Sequence, residues 1–338
     1  MAFKFSFSKR IGIDLGTANS LVYLAGQGIV LNEPTVVAVS PDTNAVVAVG
    51  NEAKEMLGRT PETIHARRPL KDGVIADYVV TEALLRYFID KVSGTSRLFK
   101  PDVMVCVPSG VTPVERRAVL DATMSAGARI AYLIDEPLAA AIGAKIPIAQ
   151  PSGNMIIDIG GGSAEAAVIS LGGVVVHGSV RVGGTALDEA ITTYMRRKFN
   201  LVIGERMAED IKLQLGSALP LEELLVMDVK GRSVLDGLPK VIKVTSEDVT
   251  EAMQPYLQQI VQMVNSVLER TPPELAADII DKGIVMSGGT SQLRNLDRLL
   301  MQTTGVPVYV ADQPLMCVAM GTGLAIENIE LYRRGINR

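Results

Sequence analysis

Two aspartates stand in nearly the same phrase. Ile11-Gly12-Ile13-Asp14-Leu15-Gly16-Thr17 returns later as Ile156-Ile157-Asp158-Ile159-Gly160-Gly161-Gly162-Ser163. Each is an apolar run ending in Asp, then a glycine-hydroxyl turn, then a second apolar run, Leu21 to Leu24 or Ala166 to Ile169. The turn therefore closes a hairpin. A glycine turn leaves backbone N–H groups uncovered, and such nests bind anions. Facing one cleft, Gly16-Thr17-Ala18-Asn19 and Gly160-Gly161-Gly162-Ser163 would clamp a polyphosphate from both sides, with the Thr17 and Ser163 hydroxyls and the Asn19 amide as further donors. Mg²⁺ keeps most of its waters and takes few protein ligands, so Asp14 and Asp158 suit it, acting through water. One glycine turn alone would merely close a hairpin; the paired Asp-then-Gly turns favour the phosphate reading.

A second echo sets Asp135-Glu136-Pro137-Leu138 against Asp312-Gln313-Pro314-Leu315. Only the first copy carries a carboxylate. Glu136 at a strand end could orient or polarise water attacking a γ-phosphate, or simply cap a helix beginning at Pro137. Glu205, Glu209 and Lys212 share a polar helix face, either a solvated salt-bridge face or a grip on ribose and base. Gly288-Gly289-Thr290-Ser291 would supply the opposite wall, since glycines let a flat base approach the backbone. No Gly-x-x-x-x-Gly-Lys-Ser/Thr occurs, which excludes the Walker-type loop. A dinucleotide fold of the Rossmann kind is excluded as well, because each Asp-Gly turn leads to a strand instead of a helix.

These groups need a scaffold. Strand-like runs alternating with amphipathic stretches predict an α/β protein. Thr112-Pro113-Val114-Glu115 is a capping box with Pro at the first helical position, and Gly127 ends that helix. Leu84, Leu85, Phe88, Ile89 and Val92 predict one core-facing helix; Met207, Ala208, Ile211 and Leu215 predict another. Residues 226 to 245 read as a hairpin insertion. Before each copy of the second echo comes a strand, a Gly turn and a helix, from 113 and from about 291. The four blocks in the same order imply a duplicated protein of two similar domains.

The 338 residues suit about two domains, and 33 Lys plus Arg against 37 Asp plus Glu give a net charge of −4, so no nucleic-acid partner is expected. Cys106 and Cys317 are the two cysteines, each in an apolar run, which suits reduced buried thiols in a cytosolic protein. With His65 and His177 as the two histidines, no His/Cys metal cage can be assembled. Apolar residues make up 48% of the chain, but no run approaches the roughly 18 residues of a membrane span, and no secretory signal is expected.

These residues resemble the actin, heat-shock chaperone and sugar kinase ATPase superfamily, and within it the bacterial actins. The resemblance covers essentially the whole chain. It rests on Ile11 to Asn19, Gly26-Gln27-Gly28-Ile29-Val30-Leu31-Asn32-Glu33-Pro34, Val107 to Thr112 with Glu115-Arg116-Arg117, Leu133 to Gly143, Asp158 to Gly173, and Gly204 to Pro220. The resemblance implies a duplicated actin-like (ribonuclease H-like) α/β fold with ATP or ADP and Mg²⁺ between two lobes. Lobe I is expected at 1–145 plus 312–338, with a small subdomain at about 32–66; lobe II at 146–311, with one at about 181–244. By the same resemblance Thr17 to Asn19 and Gly160 to Gly162 are phosphate loops, Glu205, Glu209, Asp210, Ile211 and Lys212 with Gly288 to Ser291 form the nucleoside pocket, and Glu136 activates water. Ser163 and Ala164 stand where the family usually has two threonines, and Thr290-Ser291 where Gly-Ala is usual, with little effect expected from the latter.

The resemblance further implies slow hydrolysis coupled to polymerisation. It implies paired filaments on the inner face of the cytoplasmic membrane that work with the cell-elongation machinery, guide cell-wall synthesis and determine cell shape. Leu98-Phe99, flanked by Arg97 and Lys100, is similar to the family's membrane-insertion loop. Phe3, Phe5 and Phe7, three of the six phenylalanines, could add a second anchor beside Lys4, Lys9 and Arg10, as an extended segment or a helix. A sugar or acetate type kinase of the same fold is the alternative and predicts a second, acceptor pocket. A chaperone-type ATPase is the least expected, since that class usually carries a further domain after its core.

Overall fold

In the computed structural model, residues 8–42, 45–61, 63–71, 74–94 and 100–337 are described. The proposed membrane residues Phe3, Phe5, Phe7, Leu98 and Phe99 lie outside them.

Both copies of the Asp phrase build the same sheet. In the first, strands run in the order Gly28–Pro34, Asn19–Leu24, Arg10–Leu15, Asp102–Val107, Ile130–Asp135, with Ile336–Asn337 added at the edge. In the second the order is Gly173–Val180, Ala164–Ser170, Asn154–Ile159, Ile284–Ser287, Val308–Val310. In each, the Asp-bearing strand is antiparallel to the strand after its turn and parallel to its other neighbour. The hairpin reading of the turns and the duplication are therefore visible in the topology. Parallel neighbours need helical crossovers, and the helices Tyr78–Ser93 and Pro113–Ser125 supply them in the first half. Central strands read as continuous apolar runs because both faces are covered: Asp102–Val107 and Asn154–Ile159 are buried throughout.

Three apolar layers result. One gathers Leu84, Leu85 and Phe88 under the outer face of the first sheet, and another packs Ile191, Ile211 and Leu257 on the second. Between the sheets lie the helices Glu136–Gly143 and Cys317–Glu327, with Leu138 and Val318 packed among Met104, Cys106, Ile134, Ile156 and Ala167. A Cβ on Gly321 would fall 1.7 Å from the Ala139 carbonyl oxygen, so the two helices cross backbone to backbone. Each Leu or Phe fully withdrawn from water contributes about 1.5–3 kcal/mol.

Local signals act as read. Thr112 Oγ1 accepts the Glu115 N–H at 3.2 Å while Glu115 Oε2 accepts the Thr112 N–H at 2.7 Å, closing the capping box. Val226–Ser233 and Pro239–Thr245 form the inserted hairpin, joined by Leu201–Val202. A second small sheet joins Val37–Val39, Val46–Val49 and His65–Arg67. Lys91 Nζ pairs with Glu33 Oε1 at 2.5 Å, fixing the Asn32-Glu33-Pro34 segment to the helix Tyr78–Ser93.

Two helix starts differ from expectation. The segment from about 291 is first a 3₁₀ turn, Gly289–Gln292, and the α-helix begins only at Leu296, because Asn295 adopts a left-handed conformation with φ 60°. The second echo likewise opens with a 3₁₀ turn, Pro314–Met316, after Gln313 at φ 48°, before the helix Cys317–Glu327. In the first copy the helix starts directly at Glu136.

Candidate functional site

The Asp turns of both sheets open on one cavity of about 1520 Å³. Asp14, Gly16, Thr17, Ala18 and Asn19 line it from the first sheet, and Asp158, Gly160, Gly161, Gly162 and Ser163 from the second. The loops nearly touch, since a Cβ on Gly161 would lie 2.7 Å from Ala18 Cβ.

The second loop's carbonyls are occupied on its outer side. Gly160 O accepts from Gly184 N–H at 3.0 Å and from Thr290 Oγ1 at 2.8 Å, and Gly161 O accepts from Thr185 N–H at 2.8 Å. Among the described residues the Gly161 and Gly162 N–H groups make no backbone hydrogen bond, the state expected of an anion nest. Around the first loop, Arg68 Nη1 donates to the carbonyls of Thr17 at 3.4 Å and Ala18 at 3.3 Å.

Four carboxylates converge behind the loops. Burial, with the Asp158 charge second, raises Asp14 to about 7 despite a hydrogen bond from Cys106. Burial raises Asp158 to about 6, while the Ser287 hydroxyl holds it lower. Glu136 is pushed well above the usual carboxylate range, by burial first and then by the charges of Glu165, Asp14, Asp158 and Asp135. Glu165, also raised to about 7 by burial, accepts the Ser109 N–H at 3.0 Å. Such a cluster disfavours ionisation until positive charge arrives. No group of three or more His, Cys, Asp or Glu side chains among the described residues is arranged to hold a metal by itself. A donor set of Asp14 and Asp158 with waters and phosphate oxygens fits Mg²⁺, which rarely takes an all-protein cage.

Glu136 occupies the first position of its helix and faces the cavity, while Asp135 is the cap residue and makes no side-chain cap. Capping is thus not what Glu136 does. Glu205, Glu209, Asp210 and Lys212 line the far end of the cavity opposite Gly288, Gly289 and Thr290. Lys212 is not a solvated partner, since its Nζ donates to Gly184 O at 3.0 Å and Asp188 Oδ2 at 2.9 Å. Lys54 lies 3.6 Å from Glu209 across the cavity mouth.

Two residues assigned to the nucleoside pocket lie elsewhere. Ile211 is wholly buried in the apolar layer on the second sheet, because it sits on the opposite face of the helix from Glu209 and Lys212. Ser291 is buried behind its loop, where its Oγ donates to Gly288 O at 2.7 Å and shapes the turn from within. Thr290 does more than expected, through its bond to Gly160. Sequence reasoning missed Lys54, Arg68, Glu165, Gly184 and Asp188, none of which belongs to an echo; Glu165, two residues after Ser163 on an apolar strand, was the one open to detection as a charge in a core pattern.

Residues 8–334 match the family described as MreB/Mbl protein. The chain belongs to the MreB/Mbl family. Cell shape-determining protein MreB of Escherichia coli (strain K12) is 52% identical over 335 residues, which is 98% of this chain and 96% of that protein. Crystal structures of MreB5 of Spiroplasma citri bound to ADP and to AMPPNP both superpose with a TM-score of 0.90 at 38% identity over 96% of this chain, covering 99% and 97% of theirs. A MamK double helical filament shares the fold, with a TM-score of 0.80 at 21% identity over 95% of this chain and 99% of that one. The MreB/Mbl family match and the actin-like fold that the resemblance implies agree.

Proposed function

We propose that this chain binds ATP and ADP with Mg²⁺ in the cavity between its sheets, hydrolyses ATP slowly, and couples that hydrolysis to assembly with copies of itself into paired protofilaments. The observation that carries the reading is the pair of Asp-Gly turns at the ends of equivalent interior strands of two like sheets, opening on one cavity. We divide the chain into lobe I, 1–145 with 312–338, and lobe II, 146–311. The helix Cys317–Glu327 against the strand Arg10–Leu15, and Ile336–Asn337 paired with Ile130–Asp135, favour returning the C-terminal segment to lobe I.

Backbone amides of the two loops, those of Gly161 and Gly162 among them, hold phosphate oxygens, with the Thr17 and Ser163 hydroxyls and Asn19 beside them. Asp14 and Asp158 hold Mg²⁺ through water. When bound, Mg²⁺ supplies positive charge that neutralises the phosphates. Glu136 orients the attacking water and accepts its proton, and Ser163 helps to place the water or a phosphate oxygen. Glu205, Glu209, Asp210 and Lys212 face ribose and base across from Gly288, Gly289 and Thr290.

The relatives named as cell shape-determining proteins favour a role in cell shape, and we assign that role to a filament on the inner face of the cytoplasmic membrane that works with the elongation machinery. We assign attachment to Leu98 and Phe99, flanked by the cations Arg97 and Lys100, with Phe3, Phe5 and Phe7; among the described residues no helix is long and apolar enough to cross a membrane. Sedimentation of the purified chain in Mg-ATP, Mg-ADP and no nucleotide, with and without anionic vesicles, tests the whole. Pelleting that depends on ATP or vesicles is expected; protein that stays in solution throughout overturns the filament reading and turns attention to phosphate acceptors.

A further inference from the structure

The two sheets repeat a smaller detail. Asp158 stands opposite Ser287 in the parallel register of Asn154–Ile159 and Ile284–Ser287. In the first sheet Ile13 stands opposite Val105, which brings the next residues, Asp14 and Cys106, side by side. Ser287 Oγ donates to Asp158 Oδ1 at 2.6 Å, and Cys106 Sγ donates to Asp14 Oδ1 at 3.3 Å. The same oxygen is held in each lobe, from the same side, by a buried donor on the same neighbouring strand. Neither Oδ2 meets a protein donor among the described residues.

We propose that Cys106 and Ser287 are a matched pair of positioning residues, each holding Oδ1 of its aspartate so that Oδ2 is left for the hydrated Mg-nucleotide. The inference rests on the reading of Asp14 and Asp158 as the Mg²⁺-facing carboxylates. Cys106 is buried beside Asp14, and its thiol donates to the carboxylate. A carboxylate in a cavity would otherwise rotate about its last bond, and fixing one oxygen removes that freedom before the ligand arrives. A thiol is the weaker donor of the two, so the hold on Asp14 is the softer one.

Cys106 also packs among Met104, Ile134 and Leu138, and a test must separate packing from hydrogen bonding. Mg²⁺ is titrated into the full chain with a fluorescent ATP analogue, and binding is read from the nucleotide signal, with Mn²⁺ binding followed by electron paramagnetic resonance. Cys106→Val keeps the site filled with an apolar side chain one carbon larger and removes the donor, and should raise the half-saturating Mg²⁺ concentration by about 3–10-fold. Cys106→Ser keeps a donor and should stay within about twofold of the parent. Ser287→Ala should raise the Mg²⁺ requirement at least as much as Cys106→Val, and gives the answer if the valine variant fails to fold. Asp14→Asn is the control for the underlying reading and should raise the Mg²⁺ requirement more than any of these. If Asp14→Asn does so while Cys106→Val and Ser287→Ala match the parent, the positioning role falls and the Mg²⁺ reading stands. If Cys106→Ser and Cys106→Val shift equally, the effect is packing and the inference is overturned. If Asp14→Asn changes nothing, both fall together.

Discussion

The backbone N–H of Ser109 donates to Oε2 of Glu165 at 3.0 Å, joining the turn after Asp102–Val107 to the strand Ala164–Ser170 of the other sheet. Glu165 is 1% exposed and stands opposite Asp158 in the antiparallel register, so a charge at the join is felt at the phosphate loops.

Burial raises Glu165 to about 7 from a model-peptide value of 4.5. The folded chain therefore holds this proton where the unfolded chain has released it, and stability falls as pH rises between those two values. Asp14 and Asp158 are shifted the same way and add to the trend. Glu165→Gln still accepts the Ser109 N–H but carries no charge. Urea denaturation of the nucleotide-free protein should show the variant more stable than the parent by about 1–3 kcal/mol at pH 8, with little difference at pH 5. An equal gain at both pH values would mean that the charge is not the cause.

The Asp-Gly echoes made the two hairpins, the duplication and the shared cavity legible, because glycine turns and apolar runs are local and were duplicated together; the strand order of each sheet was not, since it depends on pairing between distant segments. Glu136 was legible as the odd member of a pair with Gln313. Ile211 was misplaced because a motif carried over as a block ignores helix phase: Asp210 and Lys212 reach the cavity while the residue between them faces the core. Arg68, Gly184 and Asp188 were not legible, since each meets its partner only after the chain has folded across distant segments, as Lys212 does with Asp188. The left-handed turns at Asn295 and Gln313, which delay two helices, leave no strong signal because neither residue is glycine.

Glu136 faces the cavity with its carboxylate raised by burial and by its acidic neighbours, the setting of a group that takes a proton once Mg-nucleotide has neutralised them. Glu136→Ala should bind ATP nearly as tightly as the parent while phosphate release falls at least tenfold, a barrier increase of about 1.4 kcal/mol or more. Equilibrium binding and single-turnover phosphate release separate the two. Unchanged release would remove Glu136 from the chemistry.

Thr290 ties the nucleoside-side turn to the second phosphate loop through its 2.8 Å bond to the Gly160 carbonyl. Thr290→Val keeps the shape and leaves that carbonyl with the Gly184 N–H alone. One hydrogen bond of this kind is worth about 0.5–1.5 kcal/mol, so nucleotide affinity should weaken roughly 2–12-fold without loss of fold. Titration calorimetry with ADP checks it, and an unchanged affinity would show that the loop is held by its backbone alone.

Leu98 and Phe99 lie between Arg97 and Lys100, a pairing that sets two large apolar side chains among cations. Anionic lipid would attract the cations and the hydrocarbon boundary would take the apolar pair. Burying one such side chain contributes about 1.5–3 kcal/mol, so replacing both by serine should lower binding to anionic vesicles by more than about tenfold. The nucleotide cavity is built from other segments, so ATP binding in solution should be untouched. Flotation of the parent and the double variant with vesicles, at low and high salt, distinguishes the contributions. Salt should weaken the parent by screening the cations, and the double variant should retain only a salt-sensitive remainder. If the double variant floats as well as the parent, the anchor lies elsewhere in the chain, and Phe3, Phe5 and Phe7 become the next residues to replace.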